Sequence, residues 1–114
     1  VKASEELMAQ FESGYKSGIT VTAPGFYAPQ GRYLRVPGNN HLQNYLFTKF
    51  KWNGKSLSNY EMETSGIYGL SRLMGHQALT ICAILANRVD KTFANDPEHL
   101  INKLISSALE KLTA

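Results

Sequence analysis

Residues 58–66 read SNYEMETSG, and the fold turns on how this stretch is read. The segment 56–61, SLSNYE, alternates in the manner of an extended strand. Thr64 or Ser65 then caps a helix that runs to Met74 and stops at Gly75. Two carboxylates, Glu61 and Glu63, flank Met62 where strand gives way to helix. Acids beside each other and beside an apolar core are costly unless something polar answers them. In an extended segment residues i and i+2 point to one side, so the two acids converge. Converging carboxylates share a proton, bind a cation or accept from a pair of hydroxyls. A metal lacks support, because no His or Cys lies nearby and two carboxylates alone make a poor site. The plain alternative is a solvated helix start, where acids face the helix dipole.

Working outward, two continuous apolar runs read as buried strands. They are ITVTA at 19–23 and ALTICAILA at 78–86. Residues 3–16 predict a helix, with Leu7, Met8, Phe11 and Tyr15 on one face. The stretch 24–40, PGFYAPQGRYLRVPGNN, predicts a long loop of the functional or disordered kind. A helix starts near Asn40, carries Leu42, Tyr45, Leu46, Phe47 and Phe50, and ends at the NGK of 53–55. Asp96 caps a last helix with Pro97 at its first position and a stripe from Leu100 to Leu112. The order α-β-loop-α-β-α-β-α predicts an α/β fold, with a parallel or mixed sheet and helices on its faces. Three such strands leave open edges, so the 114 residues read as the back half of a larger domain.

Composition bounds the rest. With 43% hydrophobic and 18% charged residues the chain is an ordinary globular one. A net charge of +3, with no three Lys or Arg in succession, leaves no footprint for nucleic acid or a membrane surface. The start carries no signal-peptide pattern, and no apolar run approaches the ~20 residues of a membrane span, so a cytoplasmic protein is the default. Cys82 reads as a buried core thiol in a reducing compartment. His41, His76 and His99 share no ligand spacing and read as surface or capping residues. Trp52, Tyr45 and Phe50 read as core, or as a subunit contact.

Ligands of α/β sheets bind beyond the carboxyl ends of the strands. If the strands are parallel, three polar segments meet on that rim: FYAPQGRY, EME and the NR of 87–88. Phe26, Gln30 and Arg32 form one group. A ring stacks on a flat ligand, an amide reads an imide edge, and a guanidinium steadies an oxygen gaining negative charge. The combination suits a pyrimidine base; a solvated surface loop is the plain alternative. For Asn87 and Arg88 the plain alternative is a strand-end turn.

Taken together, GITVTAPGFYAPQGRY, LSNYEMETSGIYGLSRLMG and AILANR resemble the C-terminal half of the uridine phosphorylase family, within the nucleoside phosphorylase superfamily. E-M-E before a small-residue helix is the superfamily's mark, and F-x-x-x-Q-x-R the family's. The resemblance implies a three-layer α/β/α fold with a mixed central sheet. It implies phosphorolysis of uridine to uracil and ribose 1-phosphate, with inorganic phosphate as co-substrate and no cofactor or metal. By position, Phe26 packs on the base, Gln30 reads its amide edge and Arg32 stabilises the departing uracil anion. Glu61, Met62 and Glu63 hold the ribose, with Glu63 the main acceptor. Leu85 and Ala86 line the base pocket, and Arg88 supports the base. Purine enzymes of the superfamily place an Asp where this chain has Asn87, which argues against a purine phosphorylase or nucleosidase. The family's chains are roughly twice as long; their N-terminal half carries the phosphate site and residues shared across a dimer, and the dimers assemble into a hexamer. The expectation is therefore a chain, 1–114, forming the C-terminal part of one domain, inactive alone. The competing readings are another enzyme of the superfamily and a non-catalytic nucleoside-binding fragment.

Overall fold

The structure, a computed structural model, describes residues 1–114. Its centre is a pair of parallel strands. β1 (Ile19–Thr22) runs beside β3 (Lys55–Glu61), with Thr22 level with Glu61 at their carboxyl ends. The ladder continues one step further, where the Ala23 N–H donates to the Glu61 carbonyl at 2.9 Å. β2 (Lys51–Trp52) pairs antiparallel on the other side of β3, giving the order β1-β3-β2 and a mixed sheet. A second ribbon joins β4 (Ala86–Asn87) to β5 (Thr92–Phe93).

Between β2 and β3 stand Asn53 and Gly54, at φ 49° and 74°. Two successive left-handed residues make the turn whose twist suits a two-residue hairpin, and Asn-Gly is its favoured pair. The sequence reading took NGK as the end of a helix and missed this hairpin. The helix α2 (His41–Thr48) ends earlier, and Phe50 lies beyond it.

The other helices follow their caps. In α1 (Glu5–Phe11) the Ser4 hydroxyl accepts from the Leu7 N–H at 3.3 Å. This helix is shorter than the expected 3–16, because Gly14 at φ 91° turns the chain and leaves Tyr15 outside. Tyr15 instead donates to the Ser107 hydroxyl at 2.7 Å. α3 (Thr64–Leu73) ends at Gly75, φ 75°, as expected. α4 (Pro97–Thr113) begins at the expected Asp96 cap, whose carboxylate accepts from the His99 N–H at 2.9 Å.

The run 78–86 departs most from expectation: it is no strand before Ala86. The three-stranded sheet offers it no backbone partner, and the N–H groups of Ile81, Cys82 and Ala83 have no protein acceptor. A β conformation without a neighbouring ladder has nothing to hold it. Short side links tether the run instead: the Thr80 N–H donates to Tyr68 Oη at 2.8 Å, and the Thr64 hydroxyl donates to that of Thr80 at 3.1 Å. Cys82 is exposed rather than buried. Its thiol is nonetheless pushed up by partial burial, a hydrogen bond with Asn59 opposing and the charge of Glu61 adding to the rise. Trp52 and Tyr45, expected in a core, are exposed, at 49% and 54%.

Only Phe11, Ala23, Gln30 and Thr64 are buried, and none of them completely. The accessible surface is 8827 Å² for 12.7 kDa. A folded monomer of that mass exposes about 6,200 Å². The radius of gyration, 15.6 Å, likewise exceeds the roughly 13 Å of a compact chain of this length. No helix is long and apolar enough to cross a membrane.

Candidate functional site

Two groups of residues gather at the carboxyl ends of β1 and β3. The first is in the loop after β1. A short 3-10 turn, Ala28–Gln30, is closed by Gly31 at φ 71°. Gln43 of α2 packs on that glycine: a Cβ there would stand 2.8 Å from the Gln43 Cγ. Both the backbone angle and the close neighbour therefore require glycine. The turn buries Gln30, 5% exposed, and leaves Phe26 53% exposed.

Arg32 folds back over this turn. Its guanidinium carbon lies 3.9 Å from the centroid of the Phe26 ring. It donates to the Phe26 carbonyl at 2.7 Å and to the Gln30 side-chain oxygen at 2.5 Å. Tyr27 meets the Phe26 ring edge-on, at 5.2 Å and 86°. Arg88 arrives from the β4–β5 ribbon and donates to the Gln30 backbone carbonyl at 2.6 Å. It also stands 5.6 Å from the Tyr60 ring. Burial first, and the positive charge of Arg88 second, hold the Arg32 pKa below its usual range. The group stays cationic at neutral pH. Two guanidiniums held together with one face of an aromatic ring suit a flat ligand that carries or gains negative charge.

The second group is the strand-to-helix junction. β3 ends at Glu61, so Glu61 and Glu63 do not share one face of an extended strand as expected. The Glu61 carboxylate turns back instead and accepts from the N–H of Glu63 at 2.6 Å and of Thr64 at 2.7 Å. Such local bonds from side chain to backbone compete with continued strand. Thr22 donates its hydroxyl proton to the same carboxylate. The Thr22 oxygen in turn accepts from the Ser65 N–H at 2.9 Å. Burial works to raise the Glu61 pKa, but the bonds from Thr22, Glu63 and Thr64 prevail and hold it below the usual carboxylate range. Glu63 is the N-cap of α3, yet its side chain makes no capping bond and is exposed. Met62 is exposed beside it, at 39%.

Of the residues singled out in the sequence, Phe26, Gln30, Arg32 and Arg88 thus stand together. Glu61, Met62 and Glu63 stand at the neighbouring junction, joined to the first group through Tyr60. Leu85 and Ala86 enter the ribbon, where the Leu85 carbonyl accepts from Ala94 and Ala86 pairs with Phe93. Asn87 holds its own turn, accepting from the N–H of Val89 and Asp90 and donating to the Asp90 carboxylate at 2.8 Å. Two shallow hollows of the chain lie elsewhere, one beside Lys2, Tyr68 and Arg72, the other beside Leu7, Phe11 and Leu112. The converging side chains mark the site, since on an open rim chemistry rather than concavity makes one. The sequence reading missed Thr22 and Tyr60. The signal for Thr22 was there: a hydroxyl at the end of a strand parallel to, and level with, the one ending in Glu61.

The model of the phosphorylase superfamily matches residues 1–112. A uridine phosphorylase of Thermococcus kodakarensis is 32% identical over 118 residues, covering 98% of this chain and 38% of that protein. One of Haemophilus influenzae is 29% identical over 79 residues, covering 69% and 31%. No solved structure matches the chain. The matched stretches span 38% and 31% of the length of these curated relatives, less than half of either. A mixed sheet whose parallel strands end in this rim, a family match over nearly every residue and two relatives of like name agree: the chain belongs to the nucleoside phosphorylase superfamily.

Proposed function

We propose that this chain supplies the base- and ribose-binding half of an enzyme that splits uridine with phosphate, giving uracil and ribose 1-phosphate. The observation that carries the reading is the assembly of Phe26, Gln30, Arg32 and Arg88 beside the Glu61–Glu63 junction, at the ends of two parallel strands. Phe26 offers its ring to the base. Gln30 and Arg32 read the imide edge, and Arg32, backed by Arg88, takes up the charge that uracil gains as the glycosidic bond breaks. Glu63 accepts from the ribose hydroxyls, with Met62 against the sugar. A carboxylate there also favours the positive charge that develops on the ribose. Leu85 and Ala86 complete the wall of the base pocket.

The phosphate-binding residues belong, in this reading, to a preceding part of the same domain. Uncovered apolar surface and the greater length of the relatives support that division. The complete domain is then a three-layer α/β/α unit, and the protein a cytoplasmic homo-oligomer, a hexamer built from dimers, that takes phosphate as co-substrate and needs no cofactor. The 114 residues alone are inactive.

The test is ultraviolet absorbance of the full gene product with uridine, with and without phosphate, and with inosine beside it. Uridine lost only when phosphate is present supports the reading. Loss without phosphate makes the enzyme a nucleosidase, and preference for inosine makes it a purine enzyme. Binding of uridine without turnover leaves a non-catalytic module.

A further inference from the structure

Helix α3 is capped in an unusual way. An N-cap residue ordinarily turns its own side chain back onto the first free amides, and Ser, Thr, Asp and Asn do this best. Here the N-cap is Glu63, and its side chain makes no such bond. Two residues outside the helix do the work. Glu61 accepts from the amides of Glu63 and Thr64, and Thr22, on the neighbouring strand, accepts from that of Ser65. Thr22 also donates to Glu61. Its hydroxyl therefore spends its one proton on the carboxylate and a lone pair on the helix. The Glu61 carboxylate accepts three bonds from the protein, which leaves little of its capacity for a ligand. The carboxylate of Glu63 is left free.

From this we propose that Thr22 is a positioning residue. Its hydroxyl ties the end of β1 to Glu61 and to the second turn-forming amide of α3, and thereby fixes where Glu63 stands for the sugar. Glu61 belongs to the same tie rather than to the ribose contact. This rests on the reading of Glu63 as the acceptor for ribose hydroxyls. Loss of the hydroxyl leaves Ser65 without its acceptor and Glu61 without its only side-chain donor among these bonds. The junction then shifts, and with it Glu63.

The experiment compares Thr22→Val, which keeps the shape and removes the hydroxyl, with Thr22→Ser, which keeps the hydroxyl, in the full gene product. Each is assayed on uridine and on 2′-deoxyuridine with phosphate. Misplacement of a group by about an ångström costs up to a hundredfold. Thr22→Val is expected to lower kcat/KM for uridine by about tenfold to a hundredfold and 2′-deoxyuridine by less. The preference between the two substrates shrinks accordingly, and Thr22→Ser restores it. An unchanged preference, whether both rates stay or both fall together, overturns the proposal, as does a Thr22→Ser variant as impaired as Thr22→Val. If Thr22→Val gives no folded protein, Thr22→Ala is read in the same way. If the parent protein consumes neither nucleoside, the uridine reading falls, and amide exchange judges the tie separately. Faster exchange at Thr64 and Ser65 in Thr22→Val, with the rest of α3 unchanged, supports it; equal exchange overturns it.

Discussion

The rim around Thr22 and Glu61 and the apolar run 78–85 lie at opposite extremes of the same small chain. At the rim the polar groups answer one another, the Glu63 carboxylate apart: strand end, Glu61 carboxylate, Thr22 hydroxyl and helix amides form one closed set of bonds. Along 81–83 the sequence is richer in apolar residues, yet three successive backbone N–H groups donate to nothing in the protein. The helix α4 resembles the run rather than the rim, with Ile105, Leu109 and Leu112 all at least half exposed. Hydrogen bonds order this junction from within the chain, two of them reaching across from β1. Hydrophobic stretches order only when something covers them, because their free energy comes from area removed from water.

The contrast can be broken most directly by hydrogen exchange on the 114-residue chain. The amides of Ile81, Cys82 and Ala83 are expected to exchange at nearly the free-peptide rate, and those of Thr64 and Ser65 orders of magnitude more slowly. Equal rates in the two regions would dissolve the comparison. In the full gene product the run should become protected, if the preceding part of the domain covers it.

Next in size is Arg32→Ala in the full gene product. It should cost about 2–4 kcal/mol of transition-state stabilisation, read as a fall in kcat on uridine with little change in ribose binding. Unchanged turnover removes Arg32 from the site and reduces the rim to a structural junction.

A smaller effect separates the two acids. Glu61→Gln exchanges an acceptor for a donor within the set and should lower stability by about 1–3 kcal/mol, measured by chemical denaturation. Glu63→Gln should leave stability unchanged, since its carboxylate holds no capping bond. The pH dependence sharpens this. The Glu61 pKa is depressed in the folded state, so its contribution is fully present above the ordinary carboxylate value of about 4.3. It is lost as pH falls through the lower folded value. The midpoint of unfolding should drop on acidification in that window, and less steeply in Glu61→Gln.

The smallest effect is expected of Gly31→Ala, at about 1 kcal/mol or somewhat more, from the left-handed angle and the Gln43 side chain. A calorimetric melt decides it, and no change would show that α2 yields to the loop.

What the sequence made legible follows the same division. Elements with their own local signals were readable: Asp96 as a cap, Gly75 as a stop and the β-branched run at 19–22. That Phe26, Gln30 and Arg32 lie on the rim was readable, because they follow the strand at 19–22; Arg88 was placed there from a strand at 78–86 that does not form. The run 78–86 was misread, because a continuous apolar stretch says that a segment prefers burial and not that a partner is present to pair it. The hairpin at Asn53–Gly54 was overlooked although its turn chemistry is strong, since the helical pattern before it was carried too far. Spacing alone left Glu61 and Glu63 equivalent, and only the family resemblance set Glu63 apart as the main acceptor. Their division into a structural acid and a free one depends on Thr22, 39 positions away, which no local pattern reports.

Arg32 has one further consequence. Its fork already rests on a carbonyl and an amide oxygen, and its plane already lies against the Phe26 ring. If the proposed function holds, a base entering here trades places with a side chain rather than filling an empty socket. Hydrogen bonds and stacking are largely conserved in that trade, so the heat of association in a titration calorimeter should be small. Discrimination among bases then comes from how well each reproduces the bonds that Arg32 gives up, and a poor mimic is rejected because the arginine returns to its own loop.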